Sequence, residues 1–161
     1  MTRYQAGAVI LAAVLGAVGG RMTASQTALP ELPAERVSGI GGIFFKAKDP
    51  KVLAAWYRQH LGIAVGAPAD PAFTWRERDD PSRLATTTWA VFRDTTTYFA
   101  PSKAPFMLNY RVRNLDRMIA QLRGRGIAVE PKIVEDEAGR FAWLLDPEDN
   151  RIELWEPKAG H

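Results

Sequence analysis

The sequence contains an internal repeat. The tetrapeptide Gly-Ile-Ala-Val occurs at residues 62–65 and again, letter for letter, at residues 126–129. In both places it follows an apolar segment and then a stretch whose apolar residues lie three and four positions apart, which is the spacing of one helix face. A tandem duplication explains the identity and the shared order of the flanking segments. Two similar halves place equivalent positions opposite each other, so a site between them can be sought as matched pairs of residues.

The composition is that of one globular domain. The chain has 161 residues, of which 47% are hydrophobic and 24% are charged, and this is enough to bury a sizeable core. The net charge is +3, but the basic residues are scattered and no nucleic-acid-binding motif is present, so we expect no nucleic-acid partner. Cysteine is absent, which excludes disulfides, a thiolate nucleophile and cysteine metal ligands.

The N-terminus differs in character from the rest of the chain. Arg3 precedes an apolar run without charge from Ala6 to Val18, and small residues follow, as in a secretory signal. This apolar run is too short to span a membrane, which takes about 20 apolar residues. We therefore predict a signal peptide at residues 1–20 and an exported protein, periplasmic or extracellular, with no membrane contact after cleavage. The alternative is a true start at Met22, which would leave the protein in the cytoplasm.

The domain boundaries follow from changes in periodicity. Residues 21–36 include two prolines and lack a hydrophobic period, so they are predicted to be a linker. The folded domain is predicted at 37–157, with modules at about 37–101 and 105–157. Residues 158–161 are left as a short tail.

The first module has the pattern of one strand, one helix and three further strands. Asp49 is a good N-cap and is followed by proline, so a helix begins there, and Gly62 ends it. Its apolar positions have helical spacing. The predicted strands are 39–46, 73–77, 86–92 and 97–99.

The second module repeats that order. Asn114 caps a helix that ends at Gly124 and Gly126. The predicted strands are 105–112, 128–134, 140–145 and 151–155. Each half therefore reads βαβββ, which predicts an α+β fold of two tandem modules. We expect an eight-stranded mixed sheet curled around a cleft, with the helices on its convex face.

Two segments resemble a known superfamily. One is residues 49–62, with Ala-Trp-Tyr in its middle, and the other is residues 146–157, which read Asp-Pro-Glu-Asp-Asn-Arg-Ile-Glu-Leu-Trp-Glu-Pro. Both are similar to the vicinal oxygen chelate superfamily, which includes glyoxalase I, extradiol dioxygenases and bleomycin-resistance proteins. The resemblance extends from about Gly39 to Pro157 and implies the fold. It does not select an activity, because this scaffold carries isomerases, lyases, dioxygenases and binding proteins.

The resemblance implies metal ligands on the first and last strands of each half. Counting back from the helix caps pairs Gly42 with Met107, which are 65 residues apart, and aligning the module ends pairs Thr97 with Glu153. A divalent cation of this kind prefers carboxylate, imidazole or water, and only Glu153 supplies such a ligand. We therefore predict no metal ligand set and no cofactor, and a divalent metal is disfavoured.

Glu153 has two interpretations. A lone buried carboxylate in the cleft could act as a catalytic general base, with its pKa raised by burial. Alternatively, it is a retained residue paired with a nearby cation, for which Lys46 and Arg111 are candidates. The second interpretation is favoured, because no second acid, histidine or nucleophile accompanies Glu153.

Strand alternation predicts which side chains face the cleft. Aromatic walls with a few polar groups are typical of a small-molecule pocket. If Lys46 and Arg111 point inward, the ligand should be planar or anionic. The predicted ligand-binding residues are Phe44, Lys46, Trp89, Thr97, Phe99, Asn109, Arg111, Trp143 and Trp155.

The sequence thus predicts an exported glyoxalase-like protein that binds a small aromatic or anionic molecule. The alternatives are a divergent glyoxalase-type lyase or a dioxygenase that uses Glu153 as base or metal ligand, and a module that binds another protein. The absence of an acidic excess speaks against the binding of cationic bleomycin-type ligands. A homodimer is compatible with the sequence.

Overall fold

The computed structural model describes residues 35–65 and 72–158. The predicted signal peptide at 1–20 and most of the predicted linker and tail lie outside the described residues. Within the described ranges, no helix combines the length and the hydrophobicity needed to cross a membrane.

The described chain is an α+β fold, as the sequence predicts. Its seven strands form one mixed sheet in the order β2-β3-β1-β4-β7-β6-β5. The elements are β1 Val37–Ala47, α1 Pro50–Leu61, β2 Phe73–Arg76, β3 Leu84–Arg93, β4 Phe106–Val112, α2 Leu115–Gly124, β5 Val134–Glu135, β6 Gly139–Leu145 and β7 Arg151–Pro157.

The strand pairing reflects the repeat. β1 pairs with β3 in parallel, and β4 pairs with β7 in parallel, so the two halves have the same internal connection. The halves join where β1 and β4 pair in antiparallel fashion at the centre of the sheet. A site that lies across this seam receives side chains from both modules.

The prediction of an eighth strand at 97–99 is wrong for the described chain. These residues form a turn, in which the Ala100 amide donates to the Thr97 carbonyl at 2.9 Å. Phe99 is fully buried and packs in a cluster with Met107 and Trp143. The segment closes on itself through the hydrogen bond between Ala100 and Thr97, so the described part of the first module contributes three strands rather than four.

The strand predicted at 128–134 is shorter than expected. Val129 makes only an isolated bridge to Leu144, and regular pairing resumes at Val134. Pro131 lies between them and has no N–H to donate to a neighbouring strand, which accounts for the interruption.

Both helix starts occur where the sequence predicts them. The Asp49 side chain accepts hydrogen bonds from the amides of Lys51 and Val52 at the start of α1, and the helix ends at Gly62 in the left-handed conformation with φ 65°. The Asn114 side chain accepts a hydrogen bond from the Arg117 amide at the start of α2. The two caps set where each chain segment turns back over the sheet.

The helices cover one face of the sheet. In α2, Leu115, Met118 and Ile119 are buried against apolar side chains of β4, β6 and β7. In α1, the ring of Tyr57 lies 5.3 Å from the ring of Trp89 on β3. The opposite face of the same strands is therefore left to form the cleft.

Candidate functional site

The sheet face opposite the helices forms a cavity of about 380 Å³. This volume lies within the usual range for small-molecule sites, about 300–1,000 Å³. Strands β1, β3, β4, β6 and β7 all contribute to it, so it spans the seam between the modules. Its aromatic lining consists of Phe44, Phe92, Tyr98, Phe141 and Trp155, and its polar lining of Thr86, Thr88, Asn109, Asp136 and Glu153.

Glu153 is the polar centre of this cavity and is only 2% exposed. Its Oε1 accepts a hydrogen bond from Nδ2 of Asn109 at 2.6 Å. Its Oε2 accepts from Nε1 of Trp143 at 2.8 Å and from the hydroxyl of Tyr98. The donors to this carboxylate are thus neutral groups, which corrects the expectation of an ion pair with Lys46 or Arg111.

Strand register explains how these groups meet. Asn109 on β4 and Glu153 on β7 are direct partners, and Trp143 on β6 is the partner of Glu153 on its other side. Paired residues on adjacent strands point to the same face of the sheet, so three neighbouring strands bring these side chains together. The regular sheet therefore positions most of the site.

Tyr98 reaches the site from the turn before β4. Nη1 of Arg151 donates a hydrogen bond to the Tyr98 carbonyl. The Arg151 guanidinium also pairs with Glu130 at 2.7 Å and lies 5.2 Å from the centre of the Trp143 ring. These contacts attach the turn to β7 and hold the tyrosine hydroxyl over Glu153.

The environment changes the acidity of both groups in this pair. Burial raises the pKa of Glu153 above its usual value, while the hydrogen bonds from Tyr98, Asn109 and Trp143 oppose the rise. Burial, followed by the nearby charge of Glu153, raises the pKa of Tyr98. Tyr98 therefore remains a protonated donor to Glu153 at neutral pH.

Strand register also corrects one of the four expected metal positions. In the second module, Asn109 on β4 pairs with Glu153 on β7. The residue of the first module that corresponds to Asn109 is Phe44, 65 residues earlier, and Phe44 on β1 pairs with Ala90 on β3. The structural counterpart of Glu153 is therefore Ala90 and not Thr97. Thr97 lies in the turn and is exposed.

The side chains at the four positions do not fit a metal ion. Gly42, Ala90 and Met107 supply no carboxylate or imidazole, so Glu153 stands alone. A Cβ built on Gly42 would lie 2.5 Å from Cζ of Phe44, so the phenylalanine ring takes the space that a ligand there would need. Nowhere in the ranges 35–65 and 72–158 do three His, Cys, Asp or Glu side chains form a group that could hold a metal ion.

The structure brings together only part of the predicted ligand-binding set. Phe44, Asn109, Trp155 and Glu153 line the 380 Å³ cavity. Thr97 and Trp143 line an adjacent cavity of about 460 Å³, which shares Tyr98, Asp136 and Phe141 with the first. Phe99 is fully buried beneath the site.

Lys46 and Arg111 do not line either cavity. The ammonium of Lys46 lies 5.2 Å from the centre of the Phe99 ring. The guanidinium of Arg111 lies 4.7 Å from the centre of the Trp155 ring. Arg111 is 2% exposed, and its burial lowers its pKa. Both cations pack on aromatic rings, so they do not form the anion-binding wall that the sequence suggested.

The prediction that Trp89 lines the cleft is wrong. Its ring lies 5.2 Å from that of Phe45, 5.3 Å from that of Tyr57 and 6.1 Å from that of Phe73. Thr88 and Ala90 line the cavity, and side chains alternate along a strand, so Trp89 faces α1. Its role is to pack the helix on the sheet.

Several residues that line the 380 Å³ cavity are not among those predicted from the sequence. Phe92 lies two residues beyond Ala90 on β3, and Phe141 lies two residues before Trp143 on β6, so correct strand phasing would have identified both. Tyr98 and Asp136 come from segments outside the regular strands. No periodic signal marks residues of that kind.

These features define the class of protein. Two modules of the same connectivity, joined at β1 and β4 and enclosing a cleft that faces away from the helices, are the arrangement of the vicinal oxygen chelate superfamily. The sequence pattern of the Glyoxalase-like domain matches residues 42–155. The chain therefore belongs to the Glyoxalase-like domain family.

Solved structures show the same fold. Methylmalonyl-CoA epimerase from Mycobacterium tuberculosis is 22% identical, with a TM-score of 0.51 over 80% of this chain and 94% of that one. A Streptomyces coelicolor methylmalonyl-CoA epimerase variant in complex with 2-nitronate-propionyl-CoA is 17% identical, with a TM-score of 0.53 over 74% and 96%. A methylmalonyl-CoA epimerase in complex with methylmalonyl-CoA and NH4+ is 17% identical, with a TM-score of 0.54 over 77% and 97%. Comparison with curated protein sequences gives no match.

Proposed function

We propose that this protein binds a small planar aromatic molecule in the 380 Å³ cavity without the help of a metal ion. The observation that carries the proposal is the combination of five aromatic lining residues with a metal position that retains one carboxylate, Glu153. Aromatic walls supply most of the contact area, and a few buried polar groups orient the ligand.

The charge of the lining favours an aromatic ligand over an anionic one. Asp136 and Glu153 line the cavity, and among the described residues its lining includes no Lys, Arg or His. Lys46 and Arg111 are held against rings instead. We therefore keep the aromatic part of the sequence-based expectation and set the anionic part aside.

A second candidate is an enzyme in which Glu153 removes a proton from the ligand. The supporting observation is that burial raises the pKa of a carboxylate that lines the cavity. Three hydrogen bonds already hold Glu153, however, so binding is the simpler function. Export remains a prediction from the sequence, because residues 1–34 lie outside the described ranges.

The binding proposal is tested by titrating chelator-treated protein with quinoline while tryptophan fluorescence is recorded. Trp155 lines the cavity, so its emission should change on occupancy. A ligand of ten non-hydrogen atoms, at roughly 0.4 kcal/mol per atom, should bind with a Kd on the order of 1 mM. Replacing the lining ring in Phe141→Ala should weaken binding about fivefold, as expected for the loss of one aromatic contact.

Phe73→Ala is the matched control for this titration. Phe73 is an aromatic residue on β2 that is 43% exposed and does not line the cavity. Its removal should leave quinoline affinity unchanged. Binding that does not saturate, or an equal loss in both variants, would overturn the proposal.

A further inference from the structure

The amide oxygen of Asn109 is an acceptor without a partner in the wall of the cavity. Asn109 is 2% exposed, and its Oδ1 has no hydrogen-bond partner within the part of the chain that the structure describes. A carboxylate oxygen can only accept, so Nδ2 must face Glu153, and Oδ1 is turned away from it. Oδ1 lies against Gly41, which itself lines the cavity.

Glu153 lies beside this amide and accepts fewer hydrogen bonds on Oε1 than on Oε2. A carboxylate has about four acceptor sites in all. Among the described residues, Tyr98 and Trp143 donate to Oε2, and Asn109 alone donates to Oε1. For the residues that the structure describes, the wall therefore contains one buried acceptor without a donor, Oδ1 of Asn109, next to Oε1 of Glu153, which accepts a single hydrogen bond.

We propose that the ligand is a planar aromatic molecule that carries N–H donors, such as an aromatic amine or an amino-substituted heterocycle. Its N–H groups pair with Oδ1 of Asn109 and Oε1 of Glu153, and its ring lies between the aromatic walls. This inference rests on the proposed function, because it names the chemical class of the molecule that the cavity binds. The absence of Lys, Arg and His from the described lining agrees with a ligand that donates rather than accepts.

The energetic reason is that a buried acceptor left unpaired costs free energy, which a ligand donor recovers. A site built to hydrogen-bond an N–H group also discriminates strongly against an analogue that lacks it, because the buried groups then stay unpaired. Shape alone distinguishes such analogues poorly. The amino group should therefore have a larger effect on affinity than its size implies.

The test compares 2-aminoquinoline with 2-methylquinoline, which have the same ring and the same number of non-hydrogen atoms. Both are titrated into the full-length protein at a pH above the pKa of either probe, so that neither carries charge. We expect the amine to bind at least about tenfold more tightly. Equal affinities would overturn this inference and leave the proposed function standing, whereas failure of both probes to bind would overturn the proposed function and this inference with it.

The variant Asn109→Leu tests whether the Asn109 amide causes the preference for 2-aminoquinoline over 2-methylquinoline. The ratio of the two affinities should fall by at least about threefold, because the variant removes Oδ1 while Oε1 of Glu153 can still accept a hydrogen bond. Gln59→Leu is the matched control, since it removes an exposed amide on α1 and should keep the full ratio. Circular dichroism verifies folding, and Asn109→Ser replaces the leucine variant if that does not fold. A tenfold preference that persists without the amide would overturn the assignment to Asn109.

Discussion

Glu153→Ala is expected to lower the free energy of unfolding by about 3 kcal/mol or more, measured by urea denaturation. The substitution leaves Asn109, Trp143 and Tyr98 without their acceptor. Asn109 is 2% exposed and Trp143 is 6% exposed, so both donors are shielded from bulk water in the folded protein. Each buried donor left unpaired costs roughly 1–3 kcal/mol.

Two further substitutions show whether this loss is specific. Glu153→Gln keeps the shape and an acceptor oxygen, so its cost should be about 1 kcal/mol. Glu148→Ala removes an exposed glutamate in the turn before β7 and should change the stability by less than about 0.5 kcal/mol. If Glu153→Ala costs no more than Glu148→Ala, the hydrogen-bond network does not stabilise the site.

The direction in which the pKa of Glu153 is shifted predicts how the stability of the wild type and of Glu153→Gln depends on pH. Burial raises the folded pKa of Glu153 above the ordinary glutamate value of about 4.5, so the native state holds this proton more tightly than the unfolded chain does. The contribution to stability is therefore fully present below about pH 4.5 and is lost as the pH rises through the folded pKa. Lowering the pH from about 8 to about 5 should stabilise the wild type relative to Glu153→Gln. If the difference in unfolding free energy between the wild type and Glu153→Gln stays constant over this pH interval, the pKa of Glu153 is not raised.

Gly139→Ala is expected to destabilise the protein by about 3 kcal/mol or more and to weaken quinoline binding. Gly139 has φ 143°, which side chains rarely adopt, and a Cβ there would overlap the carbonyl oxygen of Glu156 on the paired strand β7. A backbone atom inside a sheet cannot move aside as a flexible side chain can. The neighbouring Ala138 lines the cavity, and its carbonyl accepts a hydrogen bond from Nε1 of Trp155 at 3.0 Å, so displacement of this turn also disturbs the site.

Two other glycines provide matched controls for the same substitution. Gly62 has φ 65°, and a Cβ added there would have no atom within 4 Å. Gly62→Ala should therefore lower the stability by about 1–2 kcal/mol, which is the cost of placing alanine in the left-handed conformation. Gly124 has open space and no positive φ, so Gly124→Ala should be neutral or raise stability by up to about 1 kcal/mol. If Gly139→Ala is no more costly than Gly62→Ala in chemical denaturation, the clash with β7 is not decisive.

Local sequence signals predicted the elements well. A capping side chain such as Asp49 or Asn114 acts within its own helix turn, so the printed sequence contains the whole cause. Alternation along β4 and β7 likewise placed Asn109, Glu153 and Trp155 on the cleft face. These features depend on neighbours a few positions away.

The errors came from features that depend on distant parts of the chain. Aligning the ends of the two modules matches Thr97 to Glu153, whereas the true counterpart, Ala90, is set by the pairing of β1 with β3. Trp89 was placed in the cleft because the phase of β3 was not fixed. Alternation also gives the sheet face of Arg111 but not the direction of its long side chain, which packs on Trp155.

The central claim is that the cleft binds an organic molecule and that Asn109, Tyr98 and Trp143 donate hydrogen bonds to Glu153, the one carboxylate at the four expected metal positions. The most direct test is metal analysis by native mass spectrometry of chelator-treated protein after exposure to zinc, nickel, manganese and ferrous ions, with quinoline present. We expect quinoline complexes without a stoichiometric metal ion. One divalent ion per chain, bound by the wild type and lost in Glu153→Gln, would contradict it.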